Sequence, residues 1–191
     1  MCGNLFSYIL SHQTEPINTK PIIKIVLQGS SFSQITLTNC ISYEISGHTN
    51  TAEFYVREII INNCPVQIRI FPENPNNGFE YYRNAVFSNS DGLICIHSAI
   101  TDEDSFYYYL SNEEMEKYNP GQKFEKMFIN LIQPDGQYPI PDDFDLTPFS
   151  VICSLQIKWS SFEILDKEQC LSSIDRFASL IYARKFKQFE V

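Results

Sequence analysis

The chain has 191 residues, enough for one domain with a full core, and 43% of them are hydrophobic and 14% aromatic, so it should be globular. Its formal net charge is −9 with no basic run, which argues against nucleic acid and anionic membrane as direct partners. No apolar run approaches the ~20 residues of a membrane-spanning helix, and the opening "MCGNLFSYILSHQTEP" has no basic segment ahead of its short apolar patch, so neither a membrane span nor a signal peptide is expected.

Residues 1–20 are polar and mixed, and read as an N-terminal extension to a single domain over 21–191. "PIIKIVLQG" (21–29) is a short apolar run stopped by glycine, as in a buried strand feeding a turn. "SQITLTNCISYEISG" (33–47) reads as a helix ending near Gly47, weakened by its β-branched residues. "EFYVREIII" (53–61) and "CPVQIRIF" (64–71) have strand character, and the intervening Asn62-Asn63 suits a tight hairpin because asparagine tolerates positive φ. "PENPNNG" (72–78) is loop, "FEYYRNAVF" (79–87) a short helix, and "GLICIHSAI" (92–100) a second buried strand. A helix is expected over 101–118, where Thr101 caps and acids at 102–104 favour the positive helix end, and "NPGQ" (119–122) closes it. "KMFINLI" (126–132) is a strand, "QPDGQYPIPDD" (133–143) a loop, and "FSVICSLQ" (149–156) the last strand. Apolar residues at 171, 174, 177, 178, 181 and 182 mark an amphipathic helix over 167–186. Alternating strands and helices with one hairpin near the front predict an α/β fold, a mostly parallel sheet covered by helices on both faces.

The six cysteines, at 2, 40, 64, 95, 153 and 170, are scattered without a C-x-x-C pair. Reduced thiols buried in a cytoplasmic protein are the simplest reading, with zinc or disulfides as the alternative. Cys2 is a candidate for acylation; Gly3 is one place too late for myristoylation, and no terminal prenylation motif is present.

The stretch "YYRNAVFSNSDGLICIHSAITDEDSF" (81–106) resembles the middle of Ras-like small GTPases. The matching features are Arg83 in a switch helix, the pair Asp91-Gly92, the apolar strand Leu93 to Ile96, a small polar turn, and Ser105-Phe106 opening the next helix. The hairpin at 53–71 lies upstream at the family's spacing, and Phe177 with Leu180-Ile181 resembles its closing helix. The resemblance implies a small-GTPase-like phosphate-loop fold. It also implies which positions should hold nucleotide, and most of those are altered. Gly29 and Thr36 match the ends of the phosphate loop, but Gln34 and Ile35 stand for its glycine and lysine. The magnesium-linked D-x-x-G falls on Pro72 to Pro75, the base-reading N-K-x-D on Ile132 to Asp135, and the S-A-K on Ser154 to Gln156. "DDFDL" (142–146) is a second-ranked place for the base motif, and the first-switch threonine falls near Thr49 or Thr51.

Nucleotide phosphates are held by backbone N–H groups, a lysine charge and Mg²⁺. Ile35 removes the charge, Gln34 adds a Cβ where the loop needs close approach, Pro75 has no N–H to donate, and Pro72 has no carboxylate. The resemblance therefore implies a degenerate site with no cofactor, and Ile35 is expected to turn inward and close it. Two residues stay open: Thr36 is a metal ligand or a helix-start cap, and Asp135 a base reader or a turn aspartate. His97 reads as a packed core residue. Phe79, Tyr81, Tyr82 and Tyr107 to Tyr109 fall on the elements that form the family's effector face, and either meet a partner or pack under loops. The leading expectation is a catalytically inactive interaction or scaffold subunit, a pseudo-GTPase with a protein partner. The alternatives are a divergent switch that binds GTP, GDP or ATP with Mg²⁺ through Gly29, Thr36 and Asp135, an α/β enzyme of another kind, and an unrelated α/β binding module.

Overall fold

The computed structural model describes residues 20–41, 47–48, 53–73, 80–98, 116–121, 124–134, 140, 144–161 and 163–186. Among the described residues, the helices α1 (Ser31–Ile41), α2 (Glu80–Phe87) and α3 (Lys167–Phe186) pack on a sheet of eight strands. The strands are β1 (Ile22–Gln28), β2 (Gly47–His48), β3 (Glu53–Ile61), β4 (Cys64–Pro72), β5 (Gly92–Ser98), β6 (Glu125–Ile132), β7 (Val151–Lys158) and β8 (Glu163–Ile164). Their spatial order is β2-β3-β4-β1-β5-β6-β7-β8. The inner strands β4, β1, β5, β6 and β7 run parallel, and antiparallel pairs β2–β3, β3–β4 and β7–β8 finish the edges. The expected α/β architecture, mostly parallel with a front hairpin, is therefore present.

Alternation along the inner strands sorts the core into two layers. Ile25 and Leu27 of β1, Ile94 and Ile96 of β5, and Ile129 and Leu131 of β6 pack with Leu37 of α1 and Ile174, Phe177 and Ile181 of α3. Their neighbours one residue away, Val26, Leu93, Cys95 and Phe128, pack on the other face with Val86 and Phe87 of α2. Strands apolar on both faces are why these runs read as continuous in the sequence. The β3–β4 turn is built by Asn62 (φ 51°) and Asn63 (φ 61°), two consecutive positive values that match the right-handed twist of the hairpin.

Several boundaries differ from expectation. Helix α1 is described over Ser31–Ile41, and Gly47, expected at its end, belongs to β2. β7 is not the last strand, because the chain turns through Trp159–Ser161 into β8. It also continues to Lys158, so Ser154 to Gln156 lie inside a strand instead of closing one. Of the helix expected over 101–118, only 116–118 are described, and they are helical.

The pair Asp91-Gly92 has a structural purpose. Asp91 accepts from the Lys24 backbone N–H at 2.8 Å and from Lys185 Nζ at 2.8 Å, its own N–H donates to the Lys24 carbonyl at 2.7 Å, and its carbonyl accepts from Arg184 at 2.7 Å. One residue thus fastens β5 to β1 and to the end of α3. Lys24 Nζ in turn donates to the carbonyls of Ala85 and Ser88 at the end of α2 (2.9 and 2.8 Å), which suits a cation at a helix C-terminus. A Cβ on Gly92 would stand 2.6 Å from Ile181 Cδ1, so the glycine lets α3 lie close to the sheet. Replacing Asp91 by alanine strands these donors beside a half-buried lysine. The expected loss is about 2–3 kcal/mol, read as a lower urea midpoint with an unchanged slope.

Candidate functional site

The chain leaves β1 toward β3 and β4 through α1, then returns across β1 to β5 through α2. The order reverses at β1, and the crevice outside the carboxyl ends of strands at such a point is where open α/β sheets bind ligands. Gly29 stands there with φ +152°, and a Cβ on it would lie 2.3 Å from the carbonyl oxygen of Ile96. Close packing of the turn on β5 is thus sufficient reason for the glycine. Ser30 is the helix cap: its Oγ accepts from the Ser33 N–H at 3.2 Å, and its carbonyl accepts from the Gln34 N–H at 2.9 Å.

Gln34 fills the inside of the loop. It is 5% exposed, and its Nε2 donates to the carbonyls of Gly29 and Glu73, each at 2.7 Å. Glu73 follows β4, extends the ladder through its N–H to the Leu27 carbonyl at 2.8 Å, and forms an ion pair with Arg83 of α2 at 3.4 Å. A continuous polar relay therefore joins α1 to the end of β4 and on to α2 across the mouth of the crevice.

The expectation for Ile35 is overturned: it is 52% exposed and closes nothing. Ser31, Ile35 and Asn39 form the exposed stripe of α1, one turn apart, while Leu37 and Cys40 face the sheet. Helix phase thus turns Ile35 away and points Gln34 inward. Thr36 is no cap either. It is the sixth residue of α1, fully buried, with a hydroxyl that has no hydrogen-bond partner. Pro72 ends β4 opposite Leu27. Pro75, Asp135, Thr49, Thr51, Phe79, Tyr107, Tyr108 and Tyr109 lie outside the described residues; Tyr81 and Tyr82 belong to α2, with side chains also outside them.

His97 is buried, as expected of a packed core residue, but sequence reasoning missed the polar row it belongs to at the carboxyl ends of the central strands. Gln28, His97 and Asn130 are all buried and continue the α2-side face of β1, β5 and β6, with His97 and Asn130 in direct register. The signal was present in the way each apolar run breaks at its end, "IVLQ", "CIHS" and "FIN". Burial lowers the His97 pKa to about 4, so the ring is neutral at pH 7. Cys95, two residues earlier on that face, is pushed up to about 12 by burial, so its thiol stays protonated. Among the described residues, no group of three or more histidine, cysteine, aspartate and glutamate side chains is placed to hold a metal ion.

No protein-family model matches the chain, and no curated protein matches it either. Among the described residues no helix is long and apolar enough to cross a membrane.

Two outcomes follow from this geometry. Gln34→Ala leaves the Gly29 and Glu73 carbonyls without their donor and should cost about 1–3 kcal/mol in chemical denaturation. For His97 the folded-state pKa lies below the unfolded value of 6.5, so the unfolded chain binds the extra proton first as pH falls. Its contribution is complete above pH 6.5 and is lost toward pH 4, up to about 3 kcal/mol. His97→Asn should therefore show a shallower fall in urea midpoint than the wild type between pH 7 and pH 4.

Proposed function

We propose that the chain is a catalytically inactive, Ras-like pseudo-GTPase that acts in the cytoplasm as a protein-interaction or scaffold subunit, without tight nucleotide binding. The observation that carries this reading is the Gln34 side chain, which takes up the inside of the Gly29 loop with two 2.7 Å hydrogen bonds. In a nucleotide-binding relative the loop N–H groups and a lysine surround phosphate. Here the relay from Gln34 through Glu73 to Arg83 ties α1, β4 and α2 together without a ligand. The β3–β4 hairpin, whose absence would count against the resemblance, is present.

The lost groups have a magnitude. Charge-assisted hydrogen bonds are worth about 1.5–3 kcal/mol each. Losing three or more costs on the order of 5 kcal/mol, and each ~1.4 kcal/mol is tenfold in affinity. Neutral His97 and the raised Cys95 thiol add no group poised for proton transfer at neutral pH. A chain with this site would work through its surface, and the tyrosines at 81–82 and 107–109 are the candidates for contact.

The test is to denature the purified protein, separate the supernatant by anion exchange, and measure melting with GTP, GDP or ATP and Mg²⁺. The expected result is no released nucleotide and no shift at millimolar ligand. Stoichiometric guanine nucleotide, or a rise in Tm specific to one base, would replace this reading with a divergent nucleotide switch.

A further inference from the structure

One long edge of the sheet is only half covered. β6 pairs with β7 from Val151 to Gln156, whereas on the other side β8 pairs only with Ile157 and Lys158. Leu165 makes the last contact on that side, donating its N–H to the Gln156 carbonyl at 2.8 Å, and the chain then enters α3 at Lys167. Backbone groups alternate in direction along a strand. Since the Gln156 carbonyl points outward to β8, the N–H and C=O groups of Ser154 and Ile152 point outward too, and among the described residues no strand pairs with them. Proteins blunt such an edge with lysine, proline, a bulge or a covering element. "VICSLQ" (151–156) has no charge and no proline, and Ile152 is 46% exposed.

The same edge opens into a cleft of about 760 Å³. Ile132, Ser154 and Gln156 form one side of it, and the stretch from Leu165 to Gln169 forms the other. Leu165 is 51% exposed, so the edge has an apolar residue near each end. Asp166 and Glu168 stand on the second wall beside Lys167. Asp166 also caps α3, its Oδ1 accepting from the Gln169 N–H at 2.8 Å.

We propose that the β7 edge takes up an extended segment of a partner protein, alternating apolar and basic residues, which adds to the sheet as a strand in line with β8. This rests on the reading of the chain as an interaction subunit and says where a partner binds. The backbone groups of Ile152 and Ser154 select the conformation, because an extended segment has N–H and C=O groups to offer and a helix has spent its own. Ile152 and Leu165 select apolar side chains. Asp166 and Glu168, on a chain of net charge −9, select basic ones. A second copy fits less well: its β7 would bring its own β8 on the same edge, and both copies carry the same negative charge.

The experiment selects a displayed library of random linear peptides on the immobilised full chain and measures binding of the enriched sequences by calorimetry. The expected sequences alternate apolar residues with lysine or arginine. Ser154→Pro should weaken their binding about tenfold or more, through the lost edge hydrogen bond. Proline there removes an N–H that points away from β6, so the existing ladder stays intact. Ile152→Lys is a second variant; it keeps every backbone group and sets a like charge against the basic peptide. In the wild type, bound peptide should also slow hydrogen exchange at the Ile152 and Ser154 amides. Three results would overturn the proposal: no enriched sequence, peptides that bind both variants as well as the wild type, or a dimer that Ser154→Pro dissolves. The second of these moves the partner to another face and leaves the interaction reading standing. Nucleotide release remains the separate test of the inactive GTPase-like site.

Discussion

Strand β1 has a neighbour on each side, and its carboxyl end must turn within contact of the carbonyl at the end of β5. Only a residue without a Cβ passes that point: the Ile96 oxygen would stand 2.3 Å from one on Gly29. The turn then delivers Ser30 as the cap of α1, and the phase of that helix sets every side chain around the crevice. Gln34 points inward to the carbonyls of Gly29 and Glu73, and Ile35 points to solvent. A glycine that a phosphate loop would need for close ligand approach is here used for close strand approach. The glycine by itself is therefore no argument for a phosphate ligand.

The opposite end of the sheet is fastened by charge. Asp91 holds β5 against β1 and α3, while Lys24 caps the end of α2 and lies over the Phe71 ring at 4.9 Å. Burial lowers the Lys24 pKa to about 8, against the raising influence of Asp91. Asp91 and Gly92 stand together because one supplies the anchor and the other the room for α3. That is a physical cause for a dipeptide which, in the sequence, carried part of a family resemblance.

What the sequence made legible were features with strong local causes. β1, β5 and β6 are apolar on both faces and so appear as unbroken runs. The hairpin follows from two asparagines that accept positive φ, and α3 from its 3.6-residue spacing, with both ends placed at Lys167 and Phe186. The end of α1 was not legible, because "SYEISG" (42–47) carries no sharp stop before Gly47. β8 was not legible because two residues hold no period. Ile35 was misread because the site was read by position in a motif; the exposed stripe at Ser31, Ile35 and Asn39 would have turned it outward.

The place of α1 has no local signature at its far end. It depends on α1 and α3 lying on one face, which the alternation of β1, β5 and β6 decides. Its first turn is fixed differently, because Gln34 ties it to the Gly29 and Glu73 carbonyls by hydrogen bonds of the chain itself. Apolar packing places the helix on the sheet, and a buried amide sets its register against the end of β4.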